Sequence, residues 1–507
     1  MDYFYTAMEN TLAHFIYYFN ENSLAFSHRP CAWELFEEAE NTCFQIDEQK
    51  KSVGKSELWQ MLENIQNRQK ESGRQYLIFA SSPIYSCENG LGRISCDTYV
   101  YTYEKGEKGS LGCRLRIMRL DLAFRIAEGK VRIWQCQWHT IQTMEPWPDE
   151  SHEAQRQAAS FDALPMDVPG TDDARDYMSL KKLVNRLWDR LLENTSELFE
   201  RVSEEKKLKA YFQTEDKNVP AIVISGPVAV NISENKTALA VSLAEVFKVR
   251  RLVKETDGNA GQCVERSFYY IRFEAHKNGG EWKISKTEAD RIFMLPPAPY
   301  VPGIRYDKIS QGLRPWTLHN ENRPGEWIKD SYAIENIMSR WVYACRRGEL
   351  EKFFYRYMSD DGFVPEMLIK SQGEGTPGLS GKDAITARLG GMDKHFVNRM
   401  YSYHTATTPL VEISSDGQSA KGTWFDHSAT NLSGEAKSPT QIPYMVFVAR
   451  YVHEFHKFHG QWYLTDFFWE PLIHLEPWQF DLNRSEGWVS REDTKNYPDA
   501  FAFLDQD

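Results

Sequence analysis

GQWYLTDFFWEPLIHLEPW (Gly460–Trp478) repeats the internal spacing of an earlier stretch, GKVRIWQCQWHTIQTMEPW (Gly129–Trp147). In both, the glycine is followed nine residues later by a tryptophan, Trp469 or Trp138, and sixteen residues later by Glu-Pro-Trp. A weaker third copy starts at Gly280, where the corresponding position is Pro296-Pro297. A spaced motif repeated at long range implies that one folding unit has been copied.

A second register agrees. Pro83, Pro227 and Pro409 each end a short β-prone run, and each is followed eleven residues later by an apolar residue, Ile94, Ala238 and Ala420. The separations from these prolines to Gly129, Gly280 and Gly460 are 46, 53 and 51 residues. Two registers in the same order, three times, predict three homologous domains. A chain of 507 residues suits that number.

Within each unit the reading is helices first, then about four long antiparallel strands. Domain 1 has apolar helical character over residues 8–26 and again over 56–71, then β-rich runs at 76–85, 92–103, 113–126 and 131–144. Domain 2 repeats the order, with a helical stretch over 180–202 and strands at 221–231, 237–252, 264–275 and 282–293. Domain 3 opens with helical residues 332–357, adds a helical stretch at 382–390, and ends with strands at 400–413, 420–427, 443–458 and 462–473. The expected boundaries are domain 1 over 1–148, a linker over 149–175, domain 2 over 176–300, a linker over 301–329, domain 3 over 330–480, and a tail over 481–507. The fold class is α+β: three tandem cone-shaped barrel domains, each with helices packed in a strongly curved antiparallel sheet. A cone of that kind is a natural small-molecule pocket.

Composition narrows the partners. A net charge of -12 argues against nucleic acid and anionic membranes, which need a basic surface. No apolar run is long enough to span a bilayer, and the start MDYFYTAMEN lacks the basic segment of a signal peptide. The eight cysteines include no CxxC pair, which fits free thiols in a reducing cytoplasm. No phosphate loop, nucleophile elbow or metal-ligand spacing is present, so no cofactor and no metal are expected. The run His453-Glu-Phe-His456-Lys-Phe-His459 lies on a strand rather than a helix and reads as a solvated strand end. The expected partner is a small apolar molecule, with sheet faces as the surfaces for self-association.

Domain 3 resembles the SnoaL-like branch of the nuclear transport factor 2-like superfamily, in particular the bile-acid 7α-dehydratase and scytalone dehydratase type. The resemblance rests on HTATTPLVEI (404–413), AKGTWF (420–425) and GQWYL (460–464), after the helix RWVYACRRGELEKFF (340–354). It implies that His404 is the acid/base residue of a β-elimination, a task that suits an imidazole with a near-neutral pKa. The corresponding positions of domains 1 and 2 are Ile78 and Ile222, so domain 3 is the expected active unit. The family orients its histidine with an aspartate on the first helix, one turn after a tyrosine. Here Trp341 takes the tyrosine position and Arg346 the aspartate position, and domain 1 offers Tyr17 and Asn22 at similar spacing.

Alternation suggests a replacement. In AKGTWFDH, Trp424 and Asp426 share a face with Ala420 and Gly422, the face expected to line the interior. Asp426 can then pair with His404, provided that a bulge near Thr407-Thr408-Pro409 turns His404 inward. The expected catalytic set is His404, Asp426 and Tyr343, and the expected substrate-binding set is Trp341, Arg346, Trp424, Asp466 and Trp469. Two functions follow. One is a cofactor-independent lyase or isomerase, dehydratase-like, acting on an apolar polycyclic hydroxy or keto compound. The other is a non-catalytic binding or scaffolding protein built from degenerate copies.

Overall fold

The computed structural model describes residues 2–25, 31–72 except 48 and 50, 75–105, 111–144 except 128, 174–193, 208, 211–212, 221–253, 260–302, 326–364, 378–391, 402–431 and 444–475. Most of both expected linkers, the expected tail and both Glu-Pro-Trp triplets lie outside these residues. The chain to Pro299 forms one compact unit and the chain from Tyr300 to Pro477 belongs to a second.

The first unit runs α1 (Asp2–Asn20), β1 (Cys43–Ile46), β2 (Ser52–Val53), α2 (Lys55–Ser72), β3 (Gln75–Glu88), β4 (Leu91–Lys105), β5 (Leu111–Ala127), β6 (Lys130–Met144), α3 (Ala174–Glu193), β7 (Ile222–Ile232), β8 (Thr237–Val253), β9 (Ala260–Asn278) and β10 (Glu281–Pro302). It holds two curved sheets. The first has the order β2-β1-β6-β5-β4-β3, antiparallel except where β1 joins β6. The second is the antiparallel meander β7-β8-β9-β10.

Helix α1 is buried on every side from Thr6 to Asn20. A helix buried on every side needs a packing partner on every side, for its polar Glu9, Asn10 and His14 as well as its apolar residues, and two sheets supply much of that cover here. Its Asn20 side chain takes the backbone N–H of Ile78 at 2.6 Å and donates to the Ile78 carbonyl at 2.9 Å. Asn10 does the same to Val230 of β7, at 2.8 and 2.9 Å. An amide side chain thereby serves as a missing strand partner for buried main chain. Phe15 and Phe19 pack on Trp138, and Glu9 pairs with Lys181 of α3 at 2.9 Å.

The second unit contains α4 (Glu326–Arg347), α5 (Leu350–Tyr357), β11 (Met358–Val364), β12 (Leu379–Ser380), β13 (Ser402–Tyr403), β14 (Thr407–Ile413), β15 (Ser419–Asn431), β16 (Tyr444–Phe458) and β17 (Gln461–Leu475). Strands β13 and β14 both pair with β15, which continues to β16 and β17, and β11 joins β17 in parallel. The helical stretch expected at 382–390 divides into an α-turn at Lys382–Ile385 and a π-turn at Thr386–Gly390.

The three sheets share the devices that the two registers marked. Gly129, Gly280 and Gly460 lie in hairpin turns with φ of 75, 90 and 83°, a region that glycine enters without penalty. At each proline the strand pairing slips, between Ser81 and Ile84, Ser225 and Val228, and Thr407 and Leu410. Proline has no N–H to give to a ladder, so a bulge is where a strand can accept it. A third device was not read from the sequence. Asp176 of α3 accepts Trp282 Nε1 at 3.1 Å and the Lys277 ammonium. Asp330 of α4 accepts Trp462 Nε1 at 2.9 Å and Lys457 Nζ at 2.8 Å. Each lock ties the first helix of a domain to its last hairpin.

Candidate functional site

His404 occupies the short connection between β13 and β14 and is 6 % exposed. The bulge that follows it includes Thr408 at φ 54°, left-handed backbone that a β-branched residue enters only under constraint. This turn reverses the alternation of β14 and sends the imidazole inward.

Asp426 reaches the same place from β15, fully buried. Its carboxylate accepts three donors: His404 Nδ1 at 3.2 Å, the Thr405 N–H at 2.8 Å and the Tyr451 hydroxyl at 2.5 Å. Thr405 is fixed in turn, since its hydroxyl accepts the His427 N–H at 2.7 Å. With Nδ1–H given to Asp426, the second ring nitrogen Nε2 is the basic one. Burial, with the Asp426 carboxylate close by, pushes the Tyr451 phenol well above its ordinary value. Tyr451 therefore stays a proton donor to Asp426.

Arg346 of α4 sits beside this pair but acts on the main chain, donating from Nη2 to the His404 carbonyl at 2.9 Å. Asn20 makes the equivalent contact to Ile78 in the first sheet. The helix residue that faces the pre-proline strand is thus Asn20 rather than Asn22, and Arg346 spans to backbone as Asn20 does. Tyr343 lies against the Arg346 guanidinium, 5.8 Å from ring centroid to Cζ. The tyrosine on the Asp426 carboxylate is Tyr451, which the sequence reading did not single out.

Aromatic rings enclose the cluster. Trp341 lies edge-on to His404 at 5.3 Å and contacts Tyr451 at 4.9 Å and Phe467 at 5.8 Å. Trp424 is buried against His453 and Phe455, its ring filling the space that a Cβ on Gly422 would need. Asp466 and Trp469 lie half-buried on β17, with Trp469 opposite Tyr451 in the β16–β17 register.

His453 corrects an expectation. It is fully buried rather than part of a solvated strand end, while His456 is half-buried and His459 exposed. Its Nδ1 accepts the Phe468 N–H at 3.1 Å, which makes Nε2 the protonated nitrogen. The ring stacks on Phe467 at 4.4 Å, and burial lowers its pKa to about 3. Alternation along β16 carried the signal for both missed residues. Tyr451, His453 and Phe455 pair with Trp424, Gly422 and Ala420 on the interior face.

No family model matches the chain, and no curated protein matches it. Solved structures resemble part of it. A scytalone dehydratase candidate from Novosphingobium aromaticivorans is 15 % identical over 30 % of this chain and 89 % of its own, with a TM-score of 0.24. The hexachlorocyclohexane dehydrochlorinase LinA-type3 from Novosphingobium barchaimii is 14 % identical over 30 % and 92 %, with a TM-score of 0.24. A ketosteroid isomerase-like protein from Erwinia carotovora atroseptica is 12 % identical over 27 % and 94 %, with a TM-score of 0.21. At such identities and TM-scores these likenesses decide nothing about activity.

Proposed function

We propose that the expected third domain, residues 330–480, is a cofactor-independent lyase or isomerase centre of dehydratase-like chemistry. Its substrate would be an apolar, polycyclic hydroxy or keto compound. The observation that carries this reading is the His404 Nδ1 to Asp426 Oδ2 contact at 3.2 Å inside an aromatic enclosure. In a β-elimination, His404 Nε2 takes the proton next to the substrate carbonyl. The electron pair left on carbon forms the double bond as the β C–O bond breaks. The proton on Nε2 then passes to the departing hydroxyl, which leaves as water. Asp426 stabilises the imidazolium while it exists, and Tyr451 and Thr405 hold Asp426 in place. Arg346 fixes the His404 carbonyl and so positions the ring.

One observation favours the second reading, a binding or scaffolding protein. Trp341 packs directly on the imidazole, as a filled core would have it. The experiment that separates them follows a panel of polycyclic β-hydroxy ketones by the absorbance of the conjugated product. The lyase reading expects turnover by the full chain and a loss of about 10²-fold or more in His404→Gln, with its folding intact. Unchanged turnover in His404→Gln, or no turnover of any member by the intact chain, favours the binding protein.

A further inference from the structure

The tryptophan nine residues after the hairpin glycine meets a different neighbour in each sheet that keeps it. In the first sheet, Trp138 of β6 donates its indole N–H to Thr98 Oγ1 of β4 at 2.8 Å. Thr98 gives its own proton to the Met118 carbonyl at 3.2 Å, so that relay ends on main chain. In the second sheet the ninth residue is Ala289, which has no side-chain donor. The residue across from the tryptophan differs as well: Leu120 faces Trp138, whereas Tyr451 of β16 faces Trp469 of β17.

Burial, and after it the Asp426 carboxylate, raises the Tyr451 phenol, and the Trp469 indole N–H opposes them by donating to the phenol oxygen. Tyr451 donates in turn to Asp426 Oδ2 at 2.5 Å. That oxygen is the one His404 Nδ1 reaches at 3.2 Å, while Oδ1 takes the Thr405 N–H at 2.8 Å. Two donors therefore share Oδ2. A hydroxyl that accepts a hydrogen bond becomes a stronger donor, by about 10–30 % per bond, because successive bonds polarise one another. The more strongly Tyr451 donates to Oδ2, the less charge that oxygen keeps for the His404 Nδ1–H.

We propose that Trp469 is a positioning residue of the His404 site, acting through Tyr451 and Asp426. Its N–H occupies a lone pair of the Tyr451 oxygen, turns the phenol proton toward Asp426, and so tempers the hold of Asp426 on the imidazole. Expected among the substrate-binding residues, Trp469 serves the site from behind the carboxylate instead. The positioning role rests on the lyase reading, whereas the relay from Trp469 to His404 does not.

The test reads the His404 Nδ1 proton by NMR in the full chain carrying nitrogen-labelled histidine, with His404→Gln to assign it. Trp469→Phe keeps an aromatic ring and removes the N–H. It is expected to move that resonance downfield, as a stronger bond to Asp426 requires, and Tyr451→Phe is expected to move it further. With Tyr451→Phe already in place, Trp469→Phe should add nothing, because the intermediary is gone. From the other end, Tyr451→Phe should move the indole proton of Trp469 upfield, a readout that decides the matter even where Trp469→Phe does not fold. The proposal is overturned if Trp469→Phe leaves the His404 proton in place, or shifts it equally with and without Tyr451. It is overturned equally if the indole proton ignores the loss of the phenol hydroxyl. None of these readouts needs turnover, so a chain that converts no substrate sinks the lyase reading and leaves the relay standing.

Discussion

Asp426 bears more than any other single side chain in the candidate site, because three donors end on its two oxygens. Replacing it by Asn removes the charge that strengthens all three bonds. Hydrogen bonds to charged groups contribute about 1.5–3 kcal/mol each, and the loss is partial because the amide oxygen still accepts. Asp426→Asn should lower stability in urea by about 2–4 kcal/mol; a loss below about 0.5 kcal/mol would show that the network is not formed in solution. His453 makes a pH prediction. Its folded pKa of about 3 lies below the unfolded value of 6.5, so the unfolded chain binds a proton that the folded chain refuses. Stability is then complete above pH 6.5 and falls as pH drops toward 3. At pH 5 this one residue costs about 2 kcal/mol relative to pH 7. His453→Phe should flatten the pH 5–7 slope by that order, and an unchanged slope would place the ring in water.

At the scale of elements, each of the last two sheets is closed by an aspartate lock. For Asp176, burial raises the carboxyl, but the Lys277, Trp282 and Lys236 partners outweigh it and hold the group below its ordinary value. A depressed carboxyl stabilises the fold at pH values above 3.8 and loses that contribution as pH falls through the folded pKa. Asp176→Asn should therefore cost about 1–3 kcal/mol at pH 7, with the gap to the intact chain narrowing in acid. Equal gaps at pH 7 and pH 3 would refute the lock. These locks also show where reading the sequence stops. The repeated glycine and proline positions and the bulge near Pro409 were legible in the sequence, and the structure gives them local causes, a left-handed φ and a missing N–H. The Asp–Lys–Trp triad joins Asp330 to Trp462 across 132 positions, and no periodicity within a strand announces it.

At the scale of the whole molecule, the first two expected domains belong to a single compact unit because α1 serves both sheets. Its Glu9–Lys181 pair is nearly sealed from solvent, with both side chains 3 % exposed. Breaking such a pair leaves an uncompensated charge, whereas replacing both members by apolar residues can be neutral. Glu9→Gln should cost about 3–5 kcal/mol, and Glu9→Leu with Lys181→Met far less. Equal costs would mean that the two charges do not interact. Residues 1–148 alone should unfold at lower denaturant than residues 1–299, because α1 would lose its cover on the β7 side; coincident midpoints would separate the two domains again.

The sequence by itself determined the threefold repeat, the helix-then-strand order and the inward face of β15. Each follows from the chain's own short-range geometry: a pleat of period two, a turn that needs glycine, a bulge that admits proline. It also allowed His404 to meet Asp426, since alternation put Asp426 on the interior face and a bulge near Thr407-Thr408-Pro409 could turn His404 inward. Only the tertiary structure decided that Arg346 holds the His404 carbonyl, that Tyr451 closes on Asp426, that His453 is interior and that α1 is shared. Those outcomes depend on which distant backbone groups and charges are left to satisfy once the sheets have curved, as Asn10 meeting Val230 across 220 positions illustrates.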